Sequence, residues 1–109
     1  MPAKADGKRA NGTAVVDRFK TAIDLPAETR AQLNRILNQN LADTSDLYSQ
    51  LKHAHWNVRG RDFFQLHELF DTLAACAQEW ADLIAERVGQ LGGYATGTAA
   101  RTERLANAA

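Results

Sequence analysis

The stretch "LKHAHWNVRGRDFFQLHELFD", Leu51 to Asp71, decides how this chain is read. It sets His55 and His67 twelve residues apart, with Asp71 one helical turn beyond the second histidine. Upstream, Leu33, Ile36, Leu37, Leu41, Leu47, Tyr48, Leu51, His55 and Val58 fall in one stripe at about 100° per residue. That periodicity predicts a helix from about Pro26 to Asn57, with Pro26 in its first turn and Gly60 at the stop. Downstream, Asp62 and Gln65 fit a capping box, and Gly92-Gly93 supplies a C-terminal break. The second helix is then about 29 residues, or roughly 43 Å. A very short turn joins the two into an antiparallel αα-hairpin, so the fold class is all-α.

Composition sets the frame for that hairpin. The chain has 109 residues, 45% apolar and 24% charged, which suits at most one soluble domain. Thirteen basic residues balance thirteen acidic ones, so no net field draws it toward nucleic acid or membrane. Cys76 is the single cysteine, which excludes an intrachain disulfide and a four-cysteine zinc site. No apolar run approaches a membrane span, and "MPAKADGKRANGTAVV" lacks the apolar centre of a signal peptide. A cytoplasmic location is the expectation.

Residues 1–14 read as a flexible basic tail, with Lys4, Lys8 and Arg9 against Asp6. Such a tail is either a phosphate-contacting arm or a solvated leader. The segment "YATGTAARTERLANAA" has little to bury, and residues 99–109 read as a short C-terminal tail. Two long amphipathic helices do not shield both apolar faces alone. Association with other chains, or the rest of a four-helix bundle, is expected.

The second helix carries two stripes. With His67 at 0°, the apolar residues Leu66, Leu69, Phe70, Leu73, Ala77, Trp80, Ile84, Val88 and Leu91 centre near about 250°. His67, Asp71, Asp82 and Glu86 centre near about 50°, so the stripes lie about 160° apart. The donor stripe is therefore expected to point away from the hydrophobic partner of this helix. Asp71 and Asp82 are eleven residues apart, or roughly 16 Å along the axis. A metal holds its ligands at about 2.0–2.6 Å, so one helix cannot bring both ends to one ion. Two copies can. If two such helices cross antiparallel on a two-fold axis near residues 76 and 77, Asp71 faces the mate's Asp82 and His67 faces its Glu86. Two equivalent sites result, roughly 22 Å apart, and His55 completes each beside His67. Two imidazoles with two or three carboxylates and vacant positions suit Fe(II).

Taken singly, each of these residues has a plainer reading. His55 alone is a satisfied core histidine, and Asp82 and Glu86 alone are a solvated face that Arg87 or Arg59 can pair. Five donors obeying one symmetry operation favour the metal. "HELFD" lacks the second histidine of the zinc-protease motif, and no Glu-x-x-His pair of the di-iron bundles is present. Cys76 reads as a small packing residue, Trp80 as core, and His53 as exposed. Trp56 reads as a core anchor, an aromatic close to the metal, or both.

"AHWNVRGRDFFQLHELFD", followed by "ADLIAERVGQLGG" and "GT", closely resembles the Dps miniferritins, the DNA-protection-during-starvation branch of the ferritin superfamily. The motifs are H-W-N-x-x-G, L-H-x-x-x-D and D-x-x-A-E-R, and the likeness runs from about Leu33 to Thr98. It implies a ferritin-like domain over residues 15–98, the N-terminal half of a four-helix bundle, in a chain shortened after its second long helix. It also implies a ferroxidase of a hollow homo-dodecamer that oxidises iron between two-fold-related subunits and stores ferric mineral in its cavity. Hydrogen peroxide is the implied oxidant, in oxidative-stress protection. The implied ligands are His55, His67 and Asp71 of one chain with Asp82 and Glu86 of its mate. DNA is an implied partner through residues 1–20, where Arg18 and Lys20 extend the charge. The readings that compete are a DNA-compacting protein without turnover and a remnant without function.

Overall fold

The computed structural model describes residues 19–97, which form a two-helix hairpin. Of the proposed DNA arm only Phe19 and Lys20 are described, both exposed, and the tail at 99–109 lies outside the described residues. Helix α1 spans Ala27–Asn57 and helix α2 spans Phe63–Gln90. No glycine or proline interrupts α1, and the one glycine of α2, Gly89, sits in its last turn.

The ends follow from local chemistry. Pro26 stands one residue ahead of its expected place, at the N-cap, where φ −58° and ψ 148° let its carbonyl accept the first helical bond from Arg30 at 3.0 Å. Asp62 occupies the N-cap of α2, but its side chain makes no capping hydrogen bond. Its backbone, at φ −98° and ψ 27°, lacks the extended geometry that aims a cap, so the expected capping box does not form. The reversal in between needs Gly60 at φ 111°, a conformation other residues resist. At the far end of α2, Gly92 at φ 87° donates to Gly89 O at 3.0 Å, while Gly93 donates to Val88 O at 2.9 Å. This is a Schellman stop.

Beyond that stop the chain turns back across α1 and is gripped by a polar row that the periodicity analysis passed over. Arg30 is buried and donates to Leu25 O at 3.1 Å and Leu91 O at 3.4 Å. Asn34 donates to Leu91 O at 3.5 Å and Asn38 to Tyr94 O at 3.1 Å, while Asn38 Oδ1 accepts from the Thr96 amide at 3.0 Å. These three side chains recur every four residues, so they share one face of α1. Gly93 lets the backbone pass, because a Cβ there would overlap the Asn34 amide.

The buried apolar residues of the two helices are Leu41, Ala42, Ala74, Ala77 and Val88, with Leu91 just beyond the end of α2. Half-buried Phe70, Ala81 and Ile84 flank them. Here the structure corrects the wheel. Leu66, Leu69, Leu73 and Trp80, expected to face α1, remain exposed, Trp80 by 52%. The alanine row permits closer approach, and α1 packs against it, about 90° around from the leucine row. The two stripes of α2 do lie on opposite sides as read, but α1 sits between them rather than on the apolar one.

Candidate metal centre

The helical turn of α1 that ends at Asn57 and the first turns of α2 bring His55 and His67 together. Their rings stack with centroids 3.8 Å apart and planes 19° apart, and Phe63 stacks on the outer side of His67 at 4.9 Å. Each imidazole bonds to the other residue's backbone. His55 Nδ1 lies 2.6 Å from His67 O, and His67 Nδ1 lies 2.8 Å from His55 O. A carbonyl oxygen only accepts, so both Nδ1 atoms carry the proton and donate. Both Nε2 lone pairs are then left for another partner, the arrangement in which metal-binding histidines are usually held.

Asp71 follows one turn after His67 and stands at the edge of the pair, with Oδ1 3.9 Å from His55 Nε2. Lys52, one turn before His55, donates to the same Oδ1 at 2.9 Å. That hydrogen bond holds the Asp71 carboxyl below its ordinary 3.8 and lifts the Lys52 ammonium above its ordinary 10.5. A cation arriving at Asp71 meets the Lys52 ammonium on Oδ1 and has Oδ2 as the oxygen outside that bond.

The donor row was expected to point away from the partner helix, with His55 of α1 beside His67; the second holds, and the first is corrected for His67 and Asp71. His67 packs against α1 and Asp71 reaches Lys52, because α1 lies only about 60° around the wheel from His67. Farther along α2, Asp82 and Glu86 are exposed. Among the described residues no three histidine, cysteine, aspartate or glutamate side chains gather as a metal site within the single chain. His53 is exposed, and Cys76 is a half-buried free thiol. Trp56 is 62% exposed, so it anchors no core. Lys52 is the neighbour missed by the spacing argument. Its signal was its place, one turn before His55 and level with Asp71 across the hairpin.

A histidine pair held between two long antiparallel helices, with a carboxylate at its rim, defines a helical hairpin with a nitrogen-and-oxygen donor edge. The chain belongs to the ferritin-like family, whose Ferritin-like domain matches residues 34–108. Among its curated relatives is the DNA protection during starvation protein of Agrobacterium fabrum, 46% identical over 79 residues, covering 72% of this chain and 49% of that one. The protein of the same name from Halobacterium salinarum is 42% identical over 86 residues, covering 79% and 47%. Among solved structures, DpsC from Streptomyces coelicolor superposes with a TM-score of 0.75 at 39% identity, covering 78% of this chain and 49% of that one. An archaeal Dps homologue from Halobacterium salinarum gives 0.74 at 37% identity. The chain spans about half the length of the relatives it matches.

The Lys52–Asp71 pair has a definite pH signature. Asp71 is depressed, so its contribution to stability is present above pH 3.8 and lost as pH falls through its lowered value. Lys52 is raised, so its contribution is present below pH 10.5 and lost as pH rises through its own. Carbon-detected NMR titration is expected to put the Asp71 midpoint below 3.8, and to raise it in Lys52→Met. An Asp71 midpoint that ignores the substitution would remove Lys52 from the site.

Proposed function

We propose that this chain is a Dps-type ferroxidase, which oxidises Fe(II) at sites shared by two-fold-related copies, for iron storage and oxidative-stress protection in the cytoplasm. The observation that carries this reading is the reciprocal bonding of His55 and His67. It fixes both tautomers and leaves two bare Nε2 atoms, that of His55 3.9 Å from Asp71 Oδ1. Membership of the ferritin-like family supports it independently.

Iron is the substrate here. His55, His67 and Asp71 of one copy bind it together with Asp82 and Glu86 of the mate, a nitrogen-and-oxygen set suited to Fe(II). The carboxylates do the larger part of the work on oxidation, because Fe(III) is harder and more strongly charged and prefers anionic oxygen. With hydrogen peroxide as oxidant, two Fe(II) ions each lose one electron. One peroxide takes both electrons and two protons, its O–O bond breaks, and two waters leave. Ferrous ion and peroxide disappear together, so neither remains to form hydroxyl radical. The imidazoles do not shuttle these protons, since each Nδ1–H is committed to a carbonyl.

Sharing between copies makes a sharp prediction. His67→Ala and Asp82→Ala are each expected to slow Fe(II) oxidation by more than about tenfold, as read by ferric absorbance after anaerobic loading. Refolded together in equal amounts, they should recover about a quarter of the parental rate, because half the pairs are mixed and each mixed pair keeps one intact site. No recovery on mixing would rule out donors from two copies.

DNA is the second partner proposed, through Lys4, Lys8, Arg9, Arg18 and Lys20, and the names of the relatives favour it. A low-salt mobility shift should vanish when residues 1–20 are removed and weaken as salt rises. A shift that survives the removal would take the arm out of the account.

A further inference from the structure

Two residues at opposite ends of α2 have no account within the hairpin. Phe64 is 68% exposed, more than any other large apolar side chain among the described residues. Phe63 before it turns inward and stacks on His67. Phe64 stands about 100° farther around, at about 60° on the wheel that puts His67 at 0°, and so lies in the row of Asp71, Asp82 and Glu86. Gly89 falls at about 40°, in the same row. Glycine weakens a helix, yet the chain itself does not require one here. Its φ is not positive, and a Cβ at 89 would meet no atom within 4 Å. Gly92 and Gly93 differ, the first needing its positive φ and the second making room for Asn34. One exposed ring is ordinary on a protein surface. What is informative is the register of the two residues. Phe64 lies three residues before His67 and seven before Asp71, while Gly89 lies three after Glu86 and seven after Asp82.

We infer that Phe64 of each chain seats over Gly89 of a second copy and closes the outer end of the shared metal pocket. This rests on the reading that two-fold-related copies share their donors. The register selects the occupant. Whatever covers Phe64 must offer a hollow there, then a carboxylate level with His67 and another level with Asp71. α2 run backwards carries that series at the same spacing, so the surface is complementary to itself, as a two-fold contact requires. The helix is also centred for it, since Phe63–Gln90 has its midpoint between Cys76 and Ala77, where the donors place the axis. Phe64 stands one turn beyond His67, between the pocket and the open end of the helix pair. There its ring excludes water, which strengthens the hold of carboxylates on a cation. A ring buried at each end also offsets the meeting of Asp71 with Asp82 of the mate before any metal arrives. A side chain at position 89 would prop the helices apart at that end.

Sedimentation with metal chelated tests the contact by size exchange. Phe64→Ala leaves a hollow at both ends of a pair, and Gly89→Leu overfills both, so each is expected to weaken association by more than about tenfold. Helix content by circular dichroism should be kept, because a side chain at 89 meets nothing in its own chain. Mixed in equal amounts, the two variants should reassociate. One end of the mixed pair then sets alanine against leucine, and the other keeps the original ring and glycine. A second measurement needs no loss of packing. With Cys76→Ala as background, Phe64→Cys and Gly89→Cys placed in one chain should give chains linked in pairs under mild oxidation. A link within one chain is excluded, since the two positions are about 38 Å apart along α2. Variants that associate like the parent, no recovery on mixing, or thiols that never link between chains would each overturn the inference. The ferroxidase reading fails separately. Reassociation without Fe(II) oxidation would leave the contact standing and remove the activity. Recovery of oxidation by His67→Ala mixed with Asp82→Ala, with positions 64 and 89 unlinked, would do the reverse.

Discussion

The paired bonds between His55 and His67 are the constraint on which the rest depends. Each imidazole donates to the carbonyl of the other residue, so the two helices are pinned at one level by two bonds that form or break together. A single hydrogen bond of this kind contributes only about 1 kcal/mol net. Its importance here is positional. A slip of one residue along either helix would break both bonds and unstack the rings. The same bonds choose the tautomer, and with it which nitrogen of each ring faces outward.

From that pin the two sides of the hairpin acquire different roles. α1 lies against the alanine row of α2, with Ala74, Ala77 and Val88 buried. The carboxylates then emerge on one side and the leucines on the other. Neither side is satisfied by the hairpin itself. The donor side lacks enough ligands converging within a single chain, and the apolar side leaves Trp80 and Leu73 in water.

Much of this was legible in the residues. The helical period, Gly60 and Gly92-Gly93 located both helices to within a few residues, because breakers and long uninterrupted stripes are strong signals. His55 and His67 were placed together by the same argument. The orientation of α2 was not legible. Its apolar stripe is wide, and a wheel averages Ala77 and Val88 with Leu73 and Trp80, although only the first two meet α1. Small residues weigh little in such an average, yet they decide how closely helices approach. The grip of Arg30, Asn34 and Asn38 on the segment after α2 was hidden for another reason. Their partners are backbone carbonyls and an amide more than fifty residues away, which no periodicity encodes.

Nitrogen-15 NMR of the imidazole rings in the metal-free chain tests the central claim most directly. With both rings neutral, the account requires His55 and His67 each to carry the proton on Nδ1, with Nε2 bare, while exposed His53 shows the mixture typical of free imidazole. A proton on Nε2 of either His55 or His67 would contradict it, because Nδ1 of that ring would then carry no proton to give the carbonyl, and the outward nitrogen would present an N–H in place of a lone pair.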